Sequence, residues 1–313
     1  MTEPSLDRIW TLLLAARGQR DRLREHSPTF GLSFFGDTQP EITGADDANA
    51  ALVWRGDKFD AGPGLPPEAL DFVELYLPVL AAQSEHPVVV GHLGQSIDAQ
   101  IATRSGDSCY VTGKENLTHL HRMRALCDAI VVGAGTVAAD DPRLTTRLVA
   151  GPNPVRIVID TERRLSGNQR IFSDADAETL LVCCADRISH DELGRKLIAA
   201  PRQGRGLDLR AVLEALTRRG LHSLFIEGGG VTVSRWMKAG LLDRLQIATA
   251  PVIIGAGRPG LSLPASETMR ACRRPPYKLF KMGDDILWDF DLRGDTLESS
   301  EPSHHRQAPM RLH

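Results

Sequence analysis

Residues 119–147 read HLHRMRALCDAIVVGAGTVAADDPRLTTR. A basic helical pattern leads into the unbroken apolar run AIVV, then a small-residue turn, then an Asp140-Asp141-Pro142 loop that ends in Arg147. An apolar run without polar alternation means a strand covered on both faces, so a helix followed by such a strand predicts an α/β sheet. Arg124, Thr136, Asp140, Asp141 and Arg147 gather around this one strand end, which is where an open α/β sheet places its ligand. The glycines of VVGAGTV lack the third glycine and the long following helix of a dinucleotide fingerprint, so they read as a strand exit.

The alternation continues outward. VVVGHL (88–93), CYVT (109–112), RIVID (156–160), TLLVCC (179–184), SLFIEGGG (223–230), RLQIATAPVIIG (244–255) and the late ILWDFDL (286–292) read as strands, with helical patterns between several of them. Thr112 and Glu115 have capping-box spacing and predict a helix start there. Asp208 caps a helix carrying Leu209, Val212, Leu213 and Leu216, which Gly220 closes in left-handed geometry. Residues 1–86 differ: a short amphipathic helix over 9–16, strand-like LSFF and ALVW, and a helix over 68–82 that Pro66-Pro67 opens and Pro78 should kink or end early. No cluster in this extension suggests chemistry. From residue 294 the chain is polar and is expected to be a disordered tail. The adjacent His304 and His305 in it lack further ligands at useful spacing, so no metal is expected.

With 313 residues, 42% hydrophobic and 25% charged, the chain suits one enzyme-sized domain, residues 87–293, plus extensions. A formal net charge of −3 recommends neither nucleic acid nor an anionic membrane as partner. The start MTEPSLDRIW has no signal-peptide pattern and no apolar run reaches a membrane span, so a cytoplasmic protein is expected. Five cysteines without CxxC spacing read as reduced thiols.

Glu227-Gly228-Gly229-Gly230 joins a strand to a helix, where glycines let backbone approach a ligand and the helix start favours phosphate; Glu227 would meet an amide or amino group. Arg124 and Arg147 are the best anion forks. Arg163 and Arg164 after RIVID offer a second anion site, such as for a 2′-phosphate. Gly94 to Asp98 and Ala102 to Ser108 put small and hydroxyl residues after a strand, where a flat heterocycle can lie. No Ser-His-Asp order and no HExxH is present, which leaves hydrolytic and zinc chemistry unsupported.

GQSIDAQIATRSGDS (94–108), HRMRALCDAIVVGAGTVAADDPRLTTR (121–147), RIVID, FIEGGG (225–230) and LDRLQIATAPVIIG (242–255) together resemble the RibD C-terminal domain family. This is the reductase half of the bifunctional riboflavin-biosynthesis deaminase/reductase. The resemblance covers residues 87 to 293 and implies a dihydrofolate-reductase-like mixed, mostly parallel sheet flanked by helices. It implies an NADPH-dependent reduction of a phosphoribosylaminopyrimidine, with hydride passing to C1′ of the ribosyl group. Carried over by position, Ser108, Arg124, Leu144, Arg147 and Glu227 would line the substrate site. Gly94, Tyr110, Thr136, Asp140, Thr161, Gly229 and Gly230 would touch NADPH. No catalytic residue is assigned, because the chemistry needs aligned carbons rather than a covalent group or metal.

Three departures are visible. Residues 1–86 hold no cysteine and no HxE…PCxxC pattern, so the zinc deaminase domain of the bifunctional members is expected to be missing. Ala99 replaces the glycine of the usual Ser-Leu-Asp-Gly turn. His92, placed with the substrate residues, stands where family members commonly carry lysine, and an uncharged imidazole would not repeat that contact. The alternatives are the same fold and cofactor acting on a pterin or other heterocycle, and a non-catalytic nucleotide-binding dimer module. A homodimer is expected from the resemblance and because RLQIATAPVIIG would be hazardous as a free edge.

Overall fold

The structure, a computed structural model, describes residues 3–23, 29–35, 39–109, 111–188 and 196–293, with backbone alone at 3–5, 20–23 and 35. Tyr110 and the predicted tail lie outside the described residues.

The N-terminal extension contains α1 (Glu3–Leu23), an antiparallel sheet of β1 (Phe30–Phe35), β2 (Gln39–Thr43), β3 (Ala50–Trp54) and β4 (Phe59–Ala61), and α2 (Leu70–Leu80). Pro67 opens a short 3-10 turn before α2, and Pro78 falls in its last turn, so the helix ends at Leu80. The main sheet begins with β5 (Val88–Ser96). It continues through α3 (Lys114–Leu126), β6 (Ala129–Gly133), α4 (Ala134–Asp140), β7 (Val155–Ile159), β8 (Thr179–Cys184) and β9 (Leu197–Ala200). Then come α5 (Leu209–Thr217), β10 (Ser223–Glu227), α6 (Gly230–Lys238), β11 (Arg244–Ala250), β12 (Tyr277–Met282) and β13 (Asp285–Asp291).

Its spatial order is β9-β8-β7-β6-β10-β5-β11-β13-β12. Every pairing from β9 across to β11 is parallel, and β13 and β12 add antiparallel pairings at the end. This is the expected mixed, mostly parallel sheet with helices on both faces. Successive residues divide between two cores, which is why the strands read as continuous apolar runs. Val88, Val90, Ile130, Val132, Val158 and Phe225 face α1 to α4. Val89, Leu93, Val131, Ile157, Leu224 and Ile226 face α5 and α6.

The first of these cores also contains Ile9, Trp10, Leu12 and Leu13 of α1, Trp54 and Phe59 of the small sheet, and Val73 and Tyr76 of α2. The extension is therefore continuous with the hydrophobic interior beneath α3. Arg17 donates to the Leu126 carbonyl at 3.1 Å and lies 3.7 Å from Asp128, so α1 supplies the cationic cap at the end of α3.

Three local expectations are corrected. The described residues of CYVT form no strand: Cys109 is in a turn, and Val111 and Thr112 form a bend leading into α3. The capping box does not form, because Thr112 Oγ1 accepts from Asn116 Nδ2 at 2.9 Å. Gly113 is the N-cap, and its own N–H is taken by Asp285 Oδ2 at 2.7 Å. A residue brought from β13 has displaced the local solution. RLQIATAPVIIG stops being a strand at Ala250, and β11 lies between β5 and β13, so its edge is paired and offers no argument for a dimer. By contrast Asp208 caps α5 as expected, accepting from Arg210 N and Ala211 N, with Gly220 at φ +82 after the helix.

Candidate active site

β10 returns to lie between β6 and β5, so the strand order reverses there and the carboxyl ends of neighbouring strands open a crevice. A cavity of about 810 Å³ fills it, reached by Leu93 and Gly94 of β5, Gly133 of β6, Ile159 of β7 and Glu227 of β10. Of the residues expected at the site, His92, Gly94, Ser108, Arg124, Thr136, Asp140, Leu144, Thr161, Glu227, Gly229 and Gly230 all line it. Arg147 does not: it is exposed beside the cavity wall, with its guanidinium donating to Thr145 Oγ1 at 2.8 Å.

On one wall Glu227 and His92 face the cavity, and they belong to a single register that runs on across the sheet. Glu227, His92, Gln246 and Asp289 are direct neighbours on β10, β5, β11 and β13. Above them α3 brings Asn116, His119 and Arg124, which are buried. The Arg124 guanidinium meets Glu227 through both oxygens, Nε donating to Oε2 at 2.8 Å and Nη2 donating to Oε1. Its Nη1 donates to the Thr145 carbonyl at 3.1 Å. Arg124 is thus not an open anion fork. Two lone-pair positions of Glu227 are taken by the arginine, and the rest of this salt-bridged carboxylate is available to a donor in the cavity.

His121 Nδ1 accepts from the Arg147 backbone N–H at 2.8 Å, and Arg124 Nη1 lies 3.4 Å from its Nε2. Burial, with Arg124 and Arg147 nearby, lowers its pKa to about 4. It holds the Arg147 backbone without adding a third positive charge. His92, also buried, is lowered to about 4 chiefly by desolvation. It shares a hydrogen bond of 3.1 Å with Asn116 Oδ1. At neutral pH this position is an uncharged imidazole.

The other wall is mainly backbone. Gly133 and Gly229 are the N-caps of α4 and α6, and neither helix has a side-chain cap, so their first N–H groups are unclaimed by side chains. Gly228 and Gly229 sit at φ +136 and +35, where a side chain would be strained. Gly230 has a different reason: a Cβ there would lie 1.9 Å from the Gly260 carbonyl oxygen. Its absent side chain admits the 259–260 backbone rather than a ligand. Arg164, Arg235 and Arg258 line the same cavity. Gly106 leaves room for the Arg258 guanidinium, whose charge opposes the burial that raises the Asp140 pKa.

Asp141 takes no part in the cavity. At φ +39 it ends α4, and its carboxylate accepts from Arg170 N at 2.7 Å and Arg170 Nε at 2.9 Å. Arg163, at φ +51, donates to the Arg187 carbonyl at 3.1 Å, whereas Arg164 lines the cavity. Asn116, His119, His121, Gln246 and Arg258 were missed in the sequence. For Gln246 a signal existed: it is a polar residue inside an apolar strand, as His92 is in VVVGHL.

The crevice at a strand-order reversal, with glycine-led helix starts on one side and a paired carboxylate on the other, defines an α/β protein with a small-molecule site. The family model for the RibD C-terminal domain matches residues 87–284, and the chain belongs to that family. It is 32% identical over 219 residues to the 2,5-diamino-6-ribosylamino-4(3H)-pyrimidinone 5′-phosphate reductase of Methanothermobacter thermautotrophicus, covering 66% of this chain and 99% of that protein. A protein of the same name from Archaeoglobus fulgidus is 34% identical over 203 residues, covering 60% of this chain and 90% of the relative. Among solved structures, the Thermotoga maritima diaminohydroxyphosphoribosylaminopyrimidine deaminase/5-amino-6-(5-phosphoribosylamino)uracil reductase superposes with a TM-score of 0.55 at 24% identity. That match covers 72% of this chain and 60% of the other, so it spans less than two thirds of the bifunctional protein and speaks to the fold alone.

Proposed function

We propose that this chain is an NADPH-dependent reductase of a phosphoribosylaminopyrimidine, of the 5-amino-6-(5-phosphoribosylamino)uracil type, acting in riboflavin biosynthesis. The reading rests on one observation above the others: a single cavity joins a wall of oriented side chains to a wall of helix starts and arginines. One ligand can be read by its hydrogen-bonding edge and the other held by its phosphates. The relatives' names supply the pyrimidine.

The residues present fit the cofactor. The uncapped starts of α4 and α6, with Arg164, Arg235 and Arg258 beside them, suit a pyrophosphate and a further phosphate, and Gly135 leaves open space where a Cβ would stand. Thr136, Asp140, Thr161, Gly94 and Gly229 complete that side, and Tyr110 is assigned to it by resemblance. When bound, NADPH supplies the hydride for C1′ of the ribosylamino group. The chain's own groups then orient the acceptor. Glu227, fixed by Arg124, accepts from ring N–H groups, Ser108 and Leu144 bound the heterocycle, and exposed Arg147 takes the phosphate at the cavity mouth.

The protein works as a homodimer in the cytoplasm in this reading. Ile97, Val252 and Ile253 expose apolar side chains on adjoining turns, Ile97 N–H donating to the Val252 carbonyl at 2.9 Å, which suits a covered surface. The test is NADPH consumption with the ribosylaminouracil phosphate and, separately, with a dihydropterin. Turnover of the first is expected, and its absence would overturn the reading. Arg147→Ala should raise KM for the phosphorylated substrate about tenfold, as loss of a charged hydrogen bond does, and leave KM for NADPH in place. Asp140→Ala should do the reverse.

A further inference from the structure

The N-terminal extension reaches the cavity wall through a continuous buried chain of polar groups. Arg122 of α3 holds its guanidinium over the Trp10 and Phe72 rings, where its charge opposes the burial that raises the Tyr76 pKa. The Tyr76 hydroxyl of α2 lies 3.1 Å from His119 Nδ1. His119 Nε2 is 2.9 Å from Gln246 Oε1. An amide oxygen can only accept, so His119 Nε2 carries the proton and its Nδ1 accepts from the Tyr76 O–H. Gln246 stands directly opposite Asp289 across the sheet, and that carboxylate is paired with Arg244, Nε donating to Oδ1 at 3.0 Å and Nη2 to Oδ2 at 2.6 Å. The Gln246 oxygen thus fixes His119 as the neutral Nε2–H tautomer.

His92 packs against this locked ring, with centroids 5.7 Å apart, and against Phe225 on its other side at 5.9 Å. Thr112 Oγ1 receives the Asn116 amide N–H, which turns Asn116 Oδ1 toward His92 and makes His92 Nε2 the donor. His92 Nδ1 is then an acceptor with no hydrogen-bonding partner among the described residues, on a side chain that lines the cavity.

We infer that Tyr76, in the segment before the family domain, is a positioning residue of the substrate wall: it locks His119, and His119 places the His92 ring so that Nδ1 receives an N–H or O–H donor of the substrate. The inference rests on the reductase reading for the identity of that substrate, while the arrangement of the two rings stands apart from it. The locked imidazole accepts at a point where a cationic side chain could only donate.

Tyr76→Phe tests it, since the ring that packs on Trp10, Phe72 and His119 is kept and the hydroxyl alone is lost. Phe59→Leu serves as the control, because it weakens the small-sheet cluster of Phe30 and Trp54 without touching the polar chain. Imidazole nitrogen NMR of the full chain without substrate, assigned with His92→Gln and His119→Gln, reads the tautomers directly. In Tyr76→Phe the His119 Nδ1 and Nε2 signals should move and those of His92 should move with them. KM for the ribosylaminopyrimidine phosphate should rise about threefold, with kcat and KM for NADPH unchanged. In Phe59→Leu the melting temperature should fall while nitrogen signals and KM stay in place. Unchanged His92 signals in Tyr76→Phe, or an equal rise in KM in Phe59→Leu, would overturn the inference. If the protein turns over no ribosylaminopyrimidine, the reductase reading fails and the nitrogen spectra alone decide the role of Tyr76.

Discussion

The two walls of the cavity are built from opposite materials. Beneath α3, Glu227 and His92 face the cavity, and Gln246 and Asp289 continue their row across two further strands beyond the lining, each with partners that fix its orientation. Across the crevice, Gly133, Gly228, Gly229 and Gly230 present backbone, and the long polar side chains are arginines. A wall of side chains discriminates between hydrogen-bonding edges because any mismatch leaves a buried polar group unpaired. A wall of backbone recognises charge and shape, and only an added Cβ can alter it. The first wall thus suits a variable substrate and the second a fixed cofactor.

This contrast can be broken from either side. The largest effect is expected at Gly230→Ala, where the new Cβ would lie 1.9 Å from a backbone oxygen that cannot rotate away. Displacing the 259–260 backbone should cost about 3 kcal/mol, seen in chemical denaturation, and NADPH binding should fall with it. A stable Gly230→Ala protein would mean that the backbone wall is softer than the geometry indicates.

On the side-chain wall, Arg124→Met leaves Glu227 without its partner in a largely buried place and should cost about 2 kcal/mol of stability, less than a fully buried broken pair because Glu227 is partly open to the cavity. Adding Glu227→Gln should recover much of that stability and none of the substrate affinity, which separates the fold's need for the pair from the site's. Recovery of neither would show that Arg124 acts mainly through Thr145. The smallest effect should come from Asp141→Asn. Its partner Arg170 is exposed, so the loss should stay within about 1 kcal/mol and both Michaelis constants should hold. A loss of NADPH affinity there would return Asp141 to the cavity.

The strands and most helices were legible because their causes are local. β-Branched runs without alternation, the Asp208 cap and the Gly220 terminator act within a few residues of themselves. The glycines and the Asp-Asp-Pro loop marked the crevice for the same reason. Where a distant residue offered a better partner, the local reading lost: Asp285 took over the start of α3, while Thr112 turned its hydroxyl to the neighbouring Asn116 side chain. RLQIATAPVIIG resembled an exposed edge because its own pattern cannot state which strands lie beside it.

By itself, then, the sequence determined a mostly parallel α/β sheet, a ligand crevice at the ends of its apolar strands, and eleven of the residues that line that crevice. Only the tertiary structure decided that Arg124 is committed to Glu227, that His92 stands between Glu227 and Gln246, and that Tyr76 joins the extension to the site. The reason is physical: helix and strand periods are written over a few neighbouring positions, whereas strand register and the direction of a buried hydrogen-bond chain depend on partners up to about a hundred or more residues away. They acquire a definite sense only when the sheet has closed around them.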